Sequence, residues 1–144
     1  MLTKILSISG KPGLYQFVSH GNRMLIVETL DSAKKRMPVL STEKVVALSD
    51  ISIYTNDDRE VPLASVFQNI YKEYQEKAVE LSAKKASQDE IITFFQKALP
   101  NYDTDRVRVS DMRKVLSWYN ILVGEGLTNF ELKKPEERQE ESQD

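Results

Sequence analysis

The strongest constraint on the fold is a change in the spacing of apolar residues near residue 61. Before this point the apolar residues form short runs rich in Val, Ile and Tyr, and turn-forming residues separate the runs. After it they recur every three or four positions. Strand side chains repeat every second residue and helix side chains about every 3.6 residues. The change therefore predicts a β-built first part and a helical second part.

The first part predicts a small β-barrel of five or six strands. Gly21-Asn22 separates the β-rich runs Leu14–His20 and Arg23–Leu30, which predicts a hairpin with those two residues as its turn. In that register Val18 would face Leu25. Further strands are predicted at residues 36–40 (an edge strand, because it contains Pro38), 45–48, 51–55 and 60–63. We expect an SH3-like barrel, because closing so short a sheet removes exposed strand edges.

The second part predicts three helices. Apolar residues line one face of Leu63–Leu81 and charged residues the other, which predicts one long helix. Ser87-Gln88-Asp89-Glu90 matches a capping box, so a second helix begins there, and Pro100 helps to end it. Ser110-Asp111 caps a third helix, which Gly124 ends in the left-handed conformation. The predicted fold class is α+β.

The expected organisation is two units and a tail. Residues 1–62 form the SH3-like β-barrel domain, residues 63–132 the helical domain with Leu127, Phe130 and Leu132 as final anchors, and residues 133–144 a disordered acidic tail without apolar residues. Each unit is expected to bury its own core. The oligomeric state stays open, because the Leu63–Leu81 stripe suits either an internal core or a dimer.

Composition excludes several classes of function. The chain has no Cys, which excludes disulfides, thiol catalysis and Cys-ligated metals, and its single His leaves little room for a zinc site. Twenty Lys and Arg against 22 Asp and Glu give a net charge of −2, so there is no broad basic field for nucleic acid or anionic membranes. No secretory signal and no apolar run of about 20 residues is visible, so we expect a cytoplasmic protein.

Three short motifs resemble reactive sites, but each favours a structural explanation. Gly10-Lys11-Pro12-Gly13 lacks the spacing of a phosphate loop, and its proline has no N–H donor. Asp103-Thr104-Asp105 has Val107 where a calcium loop needs a third oxygen ligand, which favours helix capping and Asp–Arg pairing. His20 is expected at an exposed hairpin tip without an oriented partner. We therefore predict no catalytic residue, metal ligand or cofactor.

Basic residues provide the candidate interaction surface. One patch lies on a predicted barrel loop and the other around the start of the third helix. With aromatics such as Tyr54 or Trp118, these patches could hold a nucleic-acid strand, whereas the alternative is solvated charge beside core aromatics. Trp118 is expected at the edge of a core face, which suits a protein interface and domain packing equally. The candidate residues are Lys34, Lys35, Arg36, Arg106, Arg108, Arg113, Lys114 and Trp118.

Several runs resemble an uncharacterised family from Bacteroidetes. Ile5–Tyr15, Asp50–Thr55 and Val61-Pro62-Leu63 are similar to its amino-terminal part, and Asp105–Asp111 and Trp118-Tyr119-Asn120 are similar to its carboxy-terminal domain. The resemblance covers residues 2–124. It implies a cytoplasmic two-domain protein of unknown function and transfers no functional residue.

The function we expect is a non-enzymatic interaction module, with an adaptor or regulatory role, that presents the barrel–helix junction to a partner protein. The alternative is nucleic-acid binding through the Lys34–Arg36 loop and the Arg106–Lys114 region. An enzymatic or small-ligand role would need a pocket where polar groups converge.

Overall fold

The computed structural model describes residues 2–130, which form an α+β fold. The α+β class is therefore confirmed. The strands are β1 (Ile5–Ile8), β2 (Tyr15–Gly21), β3 (Met24–Thr29), β4 (Arg36–Leu40), β5 (Val45–Ala47), β6 (Ser52–Tyr54) and β7 (Glu60–Pro62). The helices are α1 (Leu63–Glu73), α2 (Gln88–Ala98) and α3 (Val109–Gly124). No helix within residues 2–130 has the length and apolar content needed to cross a membrane. The predicted acidic tail at 133–144 lies outside the described residues.

The first five strands form one antiparallel sheet in the order β4-β3-β2-β1-β5. β5 follows β4 in the chain but pairs with β1 at the far side of the sheet. This arrangement is consistent with a small barrel-like domain. Pro38 lies in β4, which is an edge strand as predicted, so its missing N–H interrupts no internal ladder. The SH3-like form of the domain stays a prediction.

β6 and β7 pair with each other in a separate two-stranded sheet rather than in the sheet of β1–β5. Their hairpin is attached to the loop between α2 and α3. Thr55 forms an isolated β-bridge with Tyr102, and the Asp103 N–H donates to the Tyr54 carbonyl over 2.9 Å. The boundary predicted between residues 62 and 63 stays a prediction.

The turn predicted for the β2–β3 hairpin lies one residue too early, so the predicted partners next to the turn are wrong by two residues. Gly21 pairs with Met24 and His20 with Leu25, so Asn22 and Arg23 form the turn. Arg23 adopts the left-handed conformation there, with φ of 58°. The register shifts again between Phe17 and Ser19, which gives a β-bulge. The Gly-Asn pair indicated a hairpin but not which of its residues enters the strand.

The predicted single helix over Leu63–Leu81 is wrong, because α1 ends at Glu73. Gln75 and Glu76 both lie in the left-handed region, with φ of 58° and 64°. The Glu76 N–H donates to the Tyr71 carbonyl over 2.7 Å, which closes the end of the helix. The chain then runs without regular structure to Ser87. We call residues 74–87 the α1–α2 connection.

The capping box predicted for α2 is confirmed. The Glu90 N–H donates to the Ser87 hydroxyl over 3.2 Å, and the Ser87 N–H donates to the Glu90 carboxylate over 2.9 Å. The hydrogen bond from the Ser87 backbone N–H is the main cause that lowers the pKa of the Glu90 carboxyl, and the Ser87 side chain lowers it further. A capping side chain of this kind contributes about 1 kcal/mol.

The third helix begins and ends differently from the prediction. It starts at Val109, and the Asp111 carboxylate accepts from the Arg108 N–H over 3.0 Å. Gly124 is the last helical residue, and Gly126 takes the left-handed conformation with φ of 74°. The prediction for Gly124 is therefore wrong by two positions, since either glycine could satisfy the sequence pattern.

The main core belongs to both parts of the chain, so the expectation that each unit buries its own core is wrong. The large apolar cluster unites the three helices with Leu2, Ile5, Leu14 and Leu48 from the first part. A smaller cluster inside the sheet consists of Leu6, Ile8, Tyr15, Val27 and Val39. Neighbouring β1 residues point to opposite faces, so the short strand β1 contributes to both clusters.

The residues after α3 return to the core. Phe130 is buried, and its ring centroid lies 5.4 Å from that of Phe67 and 5.8 Å from that of Tyr71. Leu127 packs against the same cluster. These two predicted anchors are confirmed, and Leu132 lies outside the described residues.

Candidate binding site at the junction of sheet and helices

A cavity of about 480 Å³ lies where the turn after β1 faces α3. We call it the junction groove. It has three walls: the β1–β2 turn, the end of the α1–α2 connection and one face of α3. The lining residues are Ser7–Gly13, Ala83, Lys84, Arg113, Lys114, Ser117 and Trp118.

The first wall is the Gly10-Lys11-Pro12-Gly13 turn. Both glycines have positive φ values, 84° and 80°, which L side chains rarely adopt. The Lys11 N–H donates to the Ile8 carbonyl over 3.1 Å, and the Tyr15 hydroxyl donates to the Pro12 carbonyl over 3.0 Å. The motif is thus a hydrogen-bonded turn, as the sequence predicted, and it brings Lys11 to the groove.

The second wall is the end of the α1–α2 connection, and three side chains of α3 hold this connection in place. The Val79 N–H donates to the Asn120 side-chain oxygen over 2.8 Å, and the Asn120 amide nitrogen donates to the Val79 carbonyl over 3.1 Å. The Tyr119 hydroxyl donates to the Lys77 carbonyl over 2.8 Å. Burial is the main cause that raises the pKa of Tyr119 to about 12. Arg113 Nη1 donates to the Ala83 carbonyl over 3.0 Å, which fixes the segment beside Lys84.

The third wall follows from helix periodicity. Arg113 and Ser117 are four residues apart, as are Lys114 and Trp118, so each pair shares a face of α3. Trp118 is half-buried and packs against the main core, with Lys114 exposed beside it. The helix therefore presents two cations, a hydroxyl and an indole to the groove.

The groove is cationic. Lys11, Lys84, Arg113 and Lys114 line it, and none of the described residues that line it is acidic. Lys11 forms an ion pair with Glu43 over 3.1 Å. The pKa of Glu43 is lowered, first by the Leu40 N–H and then by Lys11. The ion pairs found within residues 2–130 do not involve the other three cations. The groove is therefore suited to bind an anion.

A second cavity, of about 270 Å³, adjoins the junction groove because Lys114 and Trp118 line both. Here the Arg106 guanidinium lies over the Tyr54 ring, 4.8 Å from its centroid. Arg106 also approaches Asp103 at 3.6 Å and Asp58 at 3.9 Å. This cavity is less positive than the junction groove, since carboxylates surround its arginine and Asp111 lines it.

A third cavity, of about 610 Å³, lies between the α1–α2 connection and α2. Its floor includes Tyr74 and Phe94, and its rim carries both cations and carboxylates. Lys97 lies over the Tyr74 ring, 5.9 Å from its centroid. Because its charges are mixed, this larger cavity selects no charge type, and the junction groove is the better candidate site.

The groove unites three of the eight predicted surface residues, namely Arg113, Lys114 and Trp118. Arg106 lines the adjoining cavity, and Arg108 is exposed at the start of α3 outside both. Lys34, Lys35 and Arg36 are exposed at the β3–β4 turn and the start of β4, and they line neither cavity.

Sequence reasoning missed the groove contributions of Lys11, Lys84, Ser7 and Ser117. Lys11 appeared only in a structural turn, and Lys84 only on the charged face of a predicted helix. Residues more than 70 positions apart meet in this groove, and no local pattern connects them. The one local indication of a binding site was Lys11, a cation that lies in a turn between two glycines.

The other two motifs have structural roles. The Asp103 carboxylate accepts from the N–H groups of Asp105 and Arg106, over 2.8 and 3.3 Å, so this motif is a capped turn with the expected Asp–Arg pair. His20 is exposed at the hairpin tip, and its ring centroid lies 4.9 Å from that of Phe17. Within residues 2–130 there is no group of three His, Cys, Asp or Glu placed to hold a metal ion.

Comparison with known proteins identifies relatives of both parts of the chain. Residues 2–48 match the domain of unknown function DUF5606, and residues 51–122 match the domain of unknown function DUF6852. A protein from Bacteroides vulgatus, whose solution NMR structure was determined in a structural genomics programme, is 51% identical. The alignment covers 90% of this chain and 91% of that chain, with a TM-score of 0.76. None of the curated proteins matches the chain.

Proposed function

We propose that the junction groove binds an acidic segment of a partner protein, in a chain that belongs to the family with the domains of unknown function DUF5606 and DUF6852. In this proposal the chain is a non-enzymatic binding module. One observation carries this proposal: four cations line a concave groove, of which Lys11 alone takes part in an ion pair found within residues 2–130, and none of the described lining residues is acidic.

The charge of the groove contrasts with that of the whole chain. The net charge is −2, so the cations gathered in the groove are a local feature and not a sample of a basic surface. A concave site lined by one sign of charge focuses its field and attracts ligands of the opposite sign. Trp118 adds a rigid apolar surface, which is the type of side chain that anchors many protein interfaces.

The single tryptophan provides a direct test, because it lies in the groove itself. A short peptide in which glutamates alternate with serine and leucine is titrated into the protein, and Trp118 fluorescence is recorded. We expect saturable binding at low salt that weakens near physiological ionic strength, since the attraction is screened. Replacing both exposed groove lysines (Lys84→Glu with Lys114→Glu) is expected to weaken binding about tenfold or more.

A matched double variant controls for overall charge. Lys34→Glu with Lys35→Glu makes the same charge change on the exposed β3–β4 turn, away from the groove. Its affinity for the peptide should stay within about twofold of the wild type, since distant exposed charges are screened. Equal losses in both double variants, or no binding by the wild type at low salt, would disprove the proposal.

A second candidate function is binding of single-stranded nucleic acid. It is favoured by Arg106 stacked on Tyr54 in the cavity that shares Lys114 and Trp118 with the groove, because aromatic and cationic side chains together hold bases and phosphates. Anisotropy of a labelled single-stranded oligonucleotide tests it, with Arg106→Glu and Arg108→Glu expected to reduce binding. The acidic residues around Arg106 make this the weaker candidate.

The proposed site of action is the cytoplasm, which fits a chain without cysteine. Fractionation of cells that express the tagged full chain tests this location. Recovery in the periplasmic or membrane fraction would contradict it.

A further inference from the structure

We infer that the acidic segment bound in the junction groove carries a phosphate monoester, such as a phosphoserine. This inference rests on the proposed function and adds the chemical class of the ligand. It follows from the type of donors in the groove, from its shape and from its size.

The donors are of two kinds. Besides the four cations, the hydroxyls of Ser7, Ser9 and Ser117 belong to the lining residues. A phosphate monoester has a charge of about −1.5 to −2 at neutral pH and three acceptor oxygens, whereas a carboxylate has one charge and two oxygens. A site that combines several cations with hydroxyl donors therefore satisfies a phosphate better than a carboxylate.

Arg113 is held ready for such a ligand. Its Nη1 donates to the Ala83 carbonyl over 3.0 Å, and its side chain is partly buried. This hydrogen bond orients the guanidinium, and the group still has N–H donors on its other two nitrogens. A planar guanidinium can bind two phosphate oxygens at once, which a lysine ammonium cannot do.

The opposite wall leaves room for a bulky anion. Gly10 and Gly13 have positive φ, and the space where a Cβ would stand is open at both. No side chain at these two positions fills the groove, and no neighbouring atom occupies the space that one would take.

The size of the groove favours a peptide segment over a free ion. About 480 Å³ far exceeds the volume of one phosphate group, and Pro12 and Trp118 supply apolar surface for neighbouring side chains. A nucleic-acid strand would need further unpaired cations beyond the junction groove to bind its successive phosphates. In the adjoining cavity Asp111 lines the wall, and Arg106 approaches two carboxylates. The observations therefore favour a phosphopeptide.

The test uses three peptides of one sequence with a central serine, glutamate or phosphoserine, titrated into the full chain and followed by calorimetry and Trp118 fluorescence. We expect the phosphoserine peptide to bind at least about tenfold more tightly than the glutamate peptide, because it adds charge and an acceptor oxygen. Lowering the pH from 7 to 5 should weaken the phosphoserine peptide, whose second pKa is about 6, much more than the glutamate peptide, whose carboxyl pKa is about 4.3.

Arg113→Lys separates geometry from charge. It keeps the positive charge and loses bidentate binding, so the preference for phosphoserine over glutamate should fall several-fold. Arg36→Lys, on the exposed start of β4, is the matched control and should leave the preference unchanged. Because Arg113 also contacts Ala83, urea unfolding checks the stability of the variant. Lys114→Gln, at an exposed position, provides a second variant and should weaken the phosphoserine peptide more than the glutamate peptide.

The possible outcomes distinguish the two proposals. Equal affinity for the phosphoserine and glutamate peptides would overturn this inference and leave the proposed function intact. No binding of either peptide would overturn both. A single-stranded oligonucleotide that binds more tightly than the phosphopeptide and competes with it would replace this inference with the nucleic-acid function.

Discussion

Asn120 provides a direct test of whether α3 holds the α1–α2 connection in place. Its side-chain amide makes two hydrogen bonds to the backbone of Val79, at 2.8 and 3.1 Å. Val79 is 5% exposed, so its N–H and carbonyl have little access to water. The change Asn120→Ala removes both partners and leaves these two backbone groups unsatisfied.

The size of the effect follows from the two lost hydrogen bonds. A lost hydrogen bond that leaves a buried group unpaired costs about 1–3 kcal/mol. Asn120 is only half-buried, so water can partly replace the amide. We therefore take the lower end of the range for each bond, and expect the free energy of unfolding to fall by about 2 kcal/mol. Asn101→Ala, at an exposed asparagine, should change it by less than about 0.5 kcal/mol.

Urea unfolding followed by Trp118 fluorescence and far-UV circular dichroism measures this loss. The slope m should stay unchanged, so that the shift in midpoint reports stability. Hydrogen exchange adds a local measurement, because the Val79 amide should lose protection in the variant. A loss below about 0.5 kcal/mol with an unchanged Val79 exchange rate would refute the claim that Asn120 holds the α1–α2 connection.

Three further predictions concern single side chains. Ser87→Ala should lower the free energy of unfolding by about 1 kcal/mol through loss of the α2 cap, as measured in urea. Phe130→Ala should lower it by about 3–5 kcal/mol, which a thermal melt would detect as a lower Tm. Tyr119→Phe should lower the free energy of unfolding by about 1 kcal/mol at neutral pH, since the hydrogen bond from the Tyr119 hydroxyl to the Lys77 carbonyl is removed. The pKa of Tyr119 is raised to about 12 in the fold, so the wild type keeps this residue's stabilisation below pH ~10 and loses it between pH ~10 and ~12. The difference between wild type and Tyr119→Phe should therefore close and then reverse over that pH range.

Each of these predictions has a clear contradicting result. Unchanged stability of Ser87→Ala would mean that the capping box contributes nothing. An unchanged melt of Phe130→Ala would show that the residues after α3 do not complete the core. A constant difference between Tyr119→Phe and the wild type up to pH ~12 would mean that the Tyr119 hydroxyl titrates normally.

Local patterns predicted those parts of the fold that local interactions determine. The Ser87–Glu90 capping box depends on contacts between residues three positions apart, so it can be recognised in the sequence, and it occurs as predicted. Pro38 marked an edge strand for a similar reason, since its missing N–H limits where it can pair.

The features that the sequence did not reveal depend on distant partners. Nothing local requires Gln75 and Glu76 to leave the helix, because neither is a glycine and the apolar spacing continues to Leu81. Tyr119 and Asn120 bind the backbone of residues 77 and 79 from more than 40 positions away, and this tertiary contact overrides the helical pattern. The junction groove is of the same kind, since its lysines and Arg113 come from three separate stretches of the chain.

The alternation along β1 has a consequence for dissecting the protein. Ile5 lies in the core shared with the helices, while its neighbour Leu6 lies in the small cluster inside the sheet. A cut near residue 50 would remove Leu2, Ile5, Leu14 and Leu48 from the core of the helices. The same four residues would then be exposed on the sheet fragment. We therefore expect the two matched regions to unfold together, and neither fragment expressed by itself should melt in a sharp transition.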